Sequence, residues 1–423
     1  MTQPDLRERA LLVAVTTGDE AGTDASLAEL GRLVDTAGAD TVDAVVQRRE
    51  RLDPATLVGR GRLSELRQEV AAGDVDVVVF DREITPAQER NLSRALDCRV
   101  LDRTAVILDI FAQHATSREG KIQVELAQLT YRLPRLRGKG IELSRLGGGI
   151  GTRGPGETKL EVDRRRILSR ISRLKSQLGD LEQSRHTKRE RRKRWDMPLV
   201  AIVGYTNAGK SSLLNALTGS DALVQDRLFA TLDPTTRRLE LHDGRIVLLS
   251  DTVGFVRHLP HQLIEAFQST LEEATDADLL LHVVDLADED PDAKISAVRE
   301  VLAEIGADRV PELLVGNKAD AAPDHALARF EGAHPEGVIV SAAQRSGLEV
   351  LSEALWQVLS RQYREVQLLI PFSAGSAAAR VHEVGEILAE EYRPDGVWFR
   401  ARLSLAETQR LSGYVIDARQ PVR

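Results

Sequence analysis

The sequence predicts a multidomain α/β protein organised around a phosphate-binding domain with a mostly parallel sheet. Three observations carry that expectation. Apolar strand-like runs alternate with helix-period segments along most of the 423 residues, the pattern of strands covered by crossover helices. An apolar run, Leu199 to Val203, leads into Gly204-Tyr205-Thr206-Asn207-Ala208-Gly209-Lys210-Ser211 and then a helical segment. Two apolar stripes at 4-3 spacing flank a Gly-rich stretch, which reads as an antiparallel helical hairpin.

Taken in order, residues 1–115 form the N-terminal α/β domain. Leu11 to Val15, Val42 to Val46, Val75 to Phe80 and Arg99 to Leu101 read as strands. Leu27 to Ala37, Leu63 to Ala71, Pro86 to Leu96 and Thr104 to Ala112 read as helices. Gly59-Arg60-Gly61-Arg62 is a weak anion-loop candidate, and turn chemistry explains it as well. Residues 116–196 form the hairpin. Its first stripe is Ile122, Leu126, Leu129, Leu133 and Leu136, and Pro134 should end that helix near Leu133. Its second stripe includes Leu160, Ile167, Ile171, Leu174, Leu178 and Leu181, and the helix finishes in the basic run 188–194. The loop between them, with Gly147 to Gly156 at its centre, is too Gly-rich to pack by itself. With Arg135, Arg137, Lys139, Arg145 and Arg153 it reads as a probe for folded RNA, the alternative being a plain linker.

Residues 197–363 carry the nucleotide motifs. The glycines of 204–211 let backbone N–H groups curl around phosphate oxygens at a helix N-terminus. Lys210 would bridge the β- and γ-phosphates, and the Ser211 hydroxyl would ligate Mg²⁺; Ser212 opens the helix behind them. Asp251-Thr252-Val253-Gly254 follows the strand Ile246 to Leu249, placing Asp251 to hold Mg²⁺ through water and the Gly254 N–H to meet the γ-phosphate. Asn317-Lys318-Ala319-Asp320 follows Leu313 to Val315. Asp320 would accept from guanine N1 and the 2-amino group, Asn317 would fix the loop and touch the base edge, and the Lys318 stem would cover the ring. Ser341-Ala342-Ala343 would offer a backbone N–H to guanine O6. Adenine presents the opposite donor and acceptor pattern, so the set selects GTP over ATP. Residues 364–423 read as a small α+β domain: strand Val366 to Ile370, helix Ala374 to Ala389, strand Val397 to Leu403 and helix Leu405 to Leu411.

Composition bounds the partners. The chain is 42% apolar and 29% charged, ordinary globular values. No apolar run approaches a membrane span, so no integral membrane association is expected. The polar start, Met1 to Arg9, is not a secretory signal, and the lone Cys98 excludes an internal disulfide, so a cytoplasmic protein is expected. Residues 118–195 hold 22 Lys and Arg against 9 Asp and Glu, a net of +13, while the rest carries −21. A block this lopsided points to a nucleic-acid partner, the alternative being a solvated helix face.

The combined layout resembles the HflX family of translation-associated GTPases over nearly the whole chain. The residues that carry the resemblance are Gly147 to Thr158 before the basic helix, Leu108 to Gln113 with Glu125 to Leu129, the phosphate loop, and Phe229-Ala230-Thr231-Leu232-Asp233-Pro234. The resemblance makes Thr231 the switch I threonine, a Mg²⁺ ligand that senses the γ-phosphate, and so groups Lys210, Thr231 and Gly254 as the catalytic set. It implies a GTPase, monomeric, whose N-terminal domain and hairpin reach rRNA of the large (50S) subunit near the peptidyl-transferase centre. It further implies splitting of stalled or idle 70S ribosomes in the GTP state, and for some relatives a link to stress. A related role in 50S assembly or tRNA modification, and a regulatory scaffold with little catalysis, remain as other readings. Phe255 departs from the Ras-like pattern: an apolar ring cannot orient the attacking water, so a low intrinsic rate stimulated by the ribosome is expected.

Overall fold

The computed structural model describes residues 7–18, 20–136, 159–194, 197–219, 228–229, 235–241, 245–257, 263, 271–361 and 363–418. Contacts divide the chain into two compact units. The first is Met1–Leu181 with Gln225–Asp233 and Val256–Thr270; the second is Glu182–Val224 with Pro234–Phe255 and Leu271–Arg423.

The first unit begins with β1 (Glu8–Thr16), α1 (Glu20–Ala37), β2 (Ala39–Arg48), α2 (Arg60–Gly73), β3 (Val77–Phe80), α3 (Pro86–Leu96), β4 (Arg99–Asp102) and α4 (Arg103–His114). The strands form a parallel sheet in the order β2-β1-β3-β4. Residues 10–14 of β1 and all of β3 are buried, as expected of inner strands covered on both faces. The edge strand β2 is largely exposed. Side chains set the helix starts: Thr85 and Gln88 form a capping box before Pro86, and Asp102 accepts from the Ala105 N–H. The Gly59-Arg60-Gly61-Arg62 segment is explained by local structure. Gly59 caps α2 and its N–H donates to Gln47 Oε1 at 3.0 Å, while Arg62 pairs with Glu65 and Glu69.

Arg103 is the charged centre of this unit. Its side chain is 3% exposed, and it pairs with buried Glu29 of α1 and, at 2.8 Å, with Asp81 at the end of β3. One guanidinium thereby ties two helices to the carboxyl edge of the sheet.

Two further helices follow, α5 (Arg118–Arg135) and α6 (Lys159–Arg194). Ile122, Leu126 and Leu129 of α5 pack with Ile171, Leu174, Leu178 and Leu181 of α6, and Arg170 pairs with Glu125 at 2.6 Å. The expected stop at Leu133 does not occur: α5 continues to Arg135 with Pro134 inside its last turn. The Leu136 N–H still reaches the Arg132 carbonyl at 3.1 Å. Arg135 is held by Glu89, Asp102 and the Ile84 carbonyl, and its guanidinium lies 3.5 Å from the Tyr131 ring centroid. Those contacts offset the one hydrogen bond that proline forfeits. The Gly-rich run 147–156 lies outside the described residues; the backbone of 188–194 is helical.

The second unit contains β5 (Leu199–Gly204), α7 (Lys210–Thr218), β6 (Thr235–Glu240), β7 (Ile246–Asp251), β8 (Leu279–Asp285), α8 (Pro291–Glu304), β9 (Glu312–Asn317), α9 (Asp324–Ala333), β10 (Val338–Ile339) and α10 (Leu348–Ser360). Its six strands run in the order β10-β9-β8-β5-β7-β6, parallel except for the edge strand β6. β5 is buried throughout and lies between β8 and β7, so the loop after it opens at the carboxyl edge of the sheet.

The chain ends in β11 (Tyr363–Ile370), α11 (Gly375–Val384), β12 (Glu386–Arg393), β13 (Gly396–Ser404), α12 (Leu405–Arg410) and β14 (Val415–Ala418). These strands form an antiparallel sheet ordered β12-β13-β11-β14, a split β-α-β arrangement. The helix expected to run to Ala389 stops at Val384. Glu386–Arg393 has helix-favouring Leu, Ala and Glu, yet it pairs along β13 and is a strand. Among the described residues no helix is long and apolar enough to cross a membrane.

Removing Arg103 strands two carboxylates in the interior. Arg103→Ala is therefore expected to destabilise the first unit by about 3–5 kcal/mol, read as a lowered urea midpoint. Arg7→Ala, at the exposed pairs with Asp35 and Asp40, should cost less than about 1 kcal/mol.

Candidate nucleotide-binding site

The loop between β5 and α7 is shaped by backbone geometry. Asn207 and Gly209 both take left-handed conformations, φ +62° and +89°. At Gly209 a Cβ would stand 2.3 Å from Asn317 Nδ2, so a larger residue would displace that amide. Lys210, 6% exposed, starts α7 and donates from Nζ to the Tyr205 carbonyl at 2.8 Å and the Gly204 carbonyl at 3.1 Å. Its ammonium is thus folded back under the loop, beside the N-terminus of α7. Burial pushes the Lys210 pKa down to about 8, opposed by the nearby Asp251 carboxylate. Ser211 and Ser212 lie in the first turn of α7, partly buried.

Asp251 ends β7, and Ser211 Oγ donates to its Oδ2 at 2.6 Å. A hydroxyl and a carboxylate make an all-oxygen donor pair, which suits a hard divalent cation such as Mg²⁺ that keeps water and phosphate ligands. Among the described residues there is no cluster of three His, Cys, Asp or Glu for a protein-only metal cage. Thr252 Oγ1 donates to the Ile202 carbonyl at 2.7 Å, locking the ends of β5 and β7 together. Gly254 sits against the loop: a Cβ there would meet Thr206 Cγ2 at 2.8 Å and Lys210 Nζ at 3.1 Å. Val253 is buried. Phe255 extends the ladder into the loop, its N–H donating to the Gly204 carbonyl at 3.1 Å and its carbonyl accepting from Thr206 at 2.8 Å. Its ring is 1% exposed.

The base-side residues converge through Asn317, 2% exposed at the end of β9. Its Nδ2 donates to the Ala208 carbonyl at 2.9 Å, and its Oδ1 accepts from the Ala342 N–H at 3.0 Å. This amide is consumed by loop-fixing bonds; the sequence also assigned it a contact with the base edge. Lys318 adopts φ +62°, and its Nζ pairs with Asp285 Oδ2 at 2.8 Å. Asp320 is exposed and accepts from Ser341 Oγ at 2.5 Å; Ser341 Oγ in turn accepts from the Gln344 N–H. The Ala319 N–H donates to the Val340 carbonyl, joining the two base-side loops, and Ala343 is exposed beside Ala342.

The structure therefore brings Gly204 to Ser212, Asp251 to Gly254, Asn317 to Asp320 and Ser341 to Ala343 to one edge of one sheet. Ala230, Thr231, Leu232 and Asp233 lie outside the described residues. Phe229 is described, buried, and belongs to the first unit. Sequence reasoning missed Asp285, which orients Lys318, and Lys294, whose Nζ lies 5.1 Å from the centroid of the Tyr205 ring. Asp285 had a faint signal, a carboxylate closing the apolar run Leu279 to Val284; Lys294 had none.

A phosphate loop, an Asp-x-x-Gly strand end and an Asn-Lys-x-Asp loop locked to it define the class: this is a P-loop GTPase. Comparison refines the class. Residues 24–112 match the family described as GTP-binding GTPase N-terminal, 114–192 the GTP-binding GTPase middle region, and 199–318 the 50S ribosome-binding GTPase. The chain is 47% identical to GTPase HflX of Caldanaerobacter subterraneus subsp. tengcongensis over 97% of its length and 94% of the relative's. It is 49% identical to GTPase HflX of Lacrimispora saccharolytica, covering 94% of each, and 43% identical to that of Escherichia coli K12, covering 96% of each. A crystal structure of a GTP-binding protein from Sulfolobus solfataricus with GDP aligns with a TM-score of 0.43 at 25% identity, over 84% of this chain and 99% of that one. The chain belongs to the HflX family of GTPases.

With a pKa near 8, Lys210 is mostly protonated at pH 7 and mostly neutral at pH 9. Phosphate binding favours the ammonium, so nucleotide binding raises that pKa and takes up a proton. Calorimetric titration of GDP in buffers of different ionisation enthalpy should show proton uptake growing from pH 7 toward one per nucleotide at pH 9. Affinity should fall over the same range.

Proposed function

We propose that this GTPase binds the large ribosomal subunit in its GTP state and splits stalled or idle 70S ribosomes. The observation that carries the reading is the HflX relationship over more than nine-tenths of the chain, at 43–49% identity, including the match to the 50S ribosome-binding GTPase family. The basic block 118–195 fits the rRNA partner by charge. We further propose four functional parts: 1–115 and the basic hairpin 116–196 for rRNA near the peptidyl-transferase centre, 197–363 for the nucleotide, and 364–423 as an appended α+β domain. The working form is a monomer.

In this reading the backbone of Gly204 to Gly209 and the Lys210 ammonium cradle the phosphates, with Ser212 behind them. Ser211, Thr231 and Asp251 hold Mg²⁺, which when bound neutralises charge on the β- and γ-phosphates. Gly254 and Thr231 report the γ-phosphate, with Phe229 to Asp233 as the switch segment. Asp320, held by Ser341, reads guanine; Ala342 and Ala343 supply backbone donors, and the Lys318 stem, tethered by Asp285, covers the ring. Phe255 supports the proposal that hydrolysis depends on the ribosome. Its ring is buried and its backbone is committed to the phosphate loop, so no polar group at that position orients water.

Sucrose-gradient sedimentation of 70S ribosomes with this protein and a non-hydrolysable GTP analogue tests the reading. The expected result is loss of the 70S peak with protein in the 50S fraction. Intact 70S particles, or protein left at the top of the gradient, would overturn it. At the base site, Asp320→Asn should move preference from guanosine toward xanthosine triphosphate by at least tenfold, measured by competition for a labelled GDP.

A further inference from the structure

Thr206, in the first half of the phosphate loop, carries a hydroxyl that the loop itself does not use. Its backbone is pinned to the chain after β7. The Thr206 N–H donates to the Phe255 carbonyl at 2.8 Å, and the Phe255 N–H donates back to the Gly204 carbonyl at 3.1 Å. Thr206 is 6% exposed, and its Oγ1 is buried with no hydrogen bond among the described residues. Neighbouring hydroxyls are satisfied: Ser211 Oγ donates to Asp251, Thr252 Oγ1 to the Ile202 carbonyl and Ser341 Oγ to Asp320. A buried hydroxyl with no partner is a cost to the fold, one that a methyl in its place would avoid. The position of Thr206 suggests what the hydroxyl serves. A Cβ built on Gly254 would stand 2.8 Å from Thr206 Cγ2, 3.1 Å from Thr206 Cα and 3.1 Å from Lys210 Nζ. Thr206 and the Lys210 ammonium therefore border one point beside Gly254. Rotation about χ1 carries Oγ1 between staggered positions while the pinned backbone stays in place.

We infer that the Thr206 hydroxyl is a catalytic group of the GTPase reaction: it donates a hydrogen bond to an oxygen of the γ-phosphoryl group. The inference rests on the proposed phosphate positions, with Lys210 across the β- and γ-phosphates and the Gly254 N–H at the γ-phosphate. In hydrolysis a water oxygen bonds to the γ-phosphorus while the bond to the β–γ bridging oxygen breaks. The electron pair of that bond leaves with GDP, and the water's proton ends on the released phosphate. Throughout, the transferring group carries negative charge on its oxygens, and a donor fixed beside them stabilises it. The hydroxyl neither gains nor loses a proton in the net step. Phe255 brings no polar side chain to this place, so Thr206 supplies a side-chain donor from the opposite strand of the ladder. GDP has no γ-phosphoryl group and does not meet this donor.

The test measures kcat/KM for GTP, Kd for GDP and the urea midpoint of the nucleotide-free protein, all on the full chain. Thr206→Val keeps the shape and removes the hydroxyl. It is expected to lower kcat/KM at least about tenfold, the typical worth of a hydrogen bond to a charged group, with GDP affinity unchanged within twofold. Its urea midpoint should equal or exceed that of the unsubstituted protein, because an unpartnered buried hydroxyl is gone. Thr206→Ser, which keeps the donor, should recover most of the lost kcat/KM. A kcat/KM within twofold for Thr206→Val would overturn the inference, as would a serine variant no better than the valine. A parallel loss of GDP affinity, or a lowered urea midpoint, would reduce the hydroxyl to loop support and overturn it too. Lys210→Ala separates the two levels. If it leaves GDP binding and hydrolysis unchanged, the phosphate positions themselves are wrong. If it abolishes them while Thr206→Val is silent, only the role of Thr206 fails.

Discussion

The nucleotide site depends on one buried amide. Asn317 donates to the phosphate loop at Ala208 and accepts from the base-side loop at Ala342, using both ends of a side chain that water does not reach. A buried polar group so satisfied costs little, whereas removing it would orphan a carbonyl and an N–H in the interior. Three chain segments, at Ala208, at Asn317 109 residues later and at Ala342 25 residues beyond that, therefore hold one relative position. The close packing at Gly209 follows from the same bond, since the amide occupies the volume a side chain would need. The loop after β5 and the loops after β9 and β10 are geometrically one site for that reason, even though the chain supplies them from different strands.

Much of this was legible in the sequence, because loops of this kind are written locally. The phosphate loop, Asp251 to Gly254 and Asn317 to Asp320 each follow an apolar strand, and all three strand ends lie on the same edge because the strands are parallel. What was not legible depends on register between distant strands. Asp285 pairs with Lys318 because β8 and β9 align Asp285 with Asn317, a fact no local pattern encodes. Ser341 was read for its backbone, while its hydroxyl turns out to orient Asp320. The misread segments have the same origin. Glu386–Arg393 is helix-like in composition and becomes a strand through pairing with β13. The end of α5 is stretched past Pro134 by Arg135, whose partners come from α3, the loop before it and β4.

Charge is spent differently in the two units. In the first, Arg103 lies among carboxylates from α1 and β3, a cluster whose desolvation is offset only while every partner is present. It ties α4 to α1 and to the end of β3. In the second, Lys210 is buried against backbone carbonyls, and burial lowers its pKa against the opposing effect of the Asp251 carboxylate. Arg103 is held in contact by two carboxylates, whereas Lys210 is held by two backbone carbonyls, which leaves its charge less compensated.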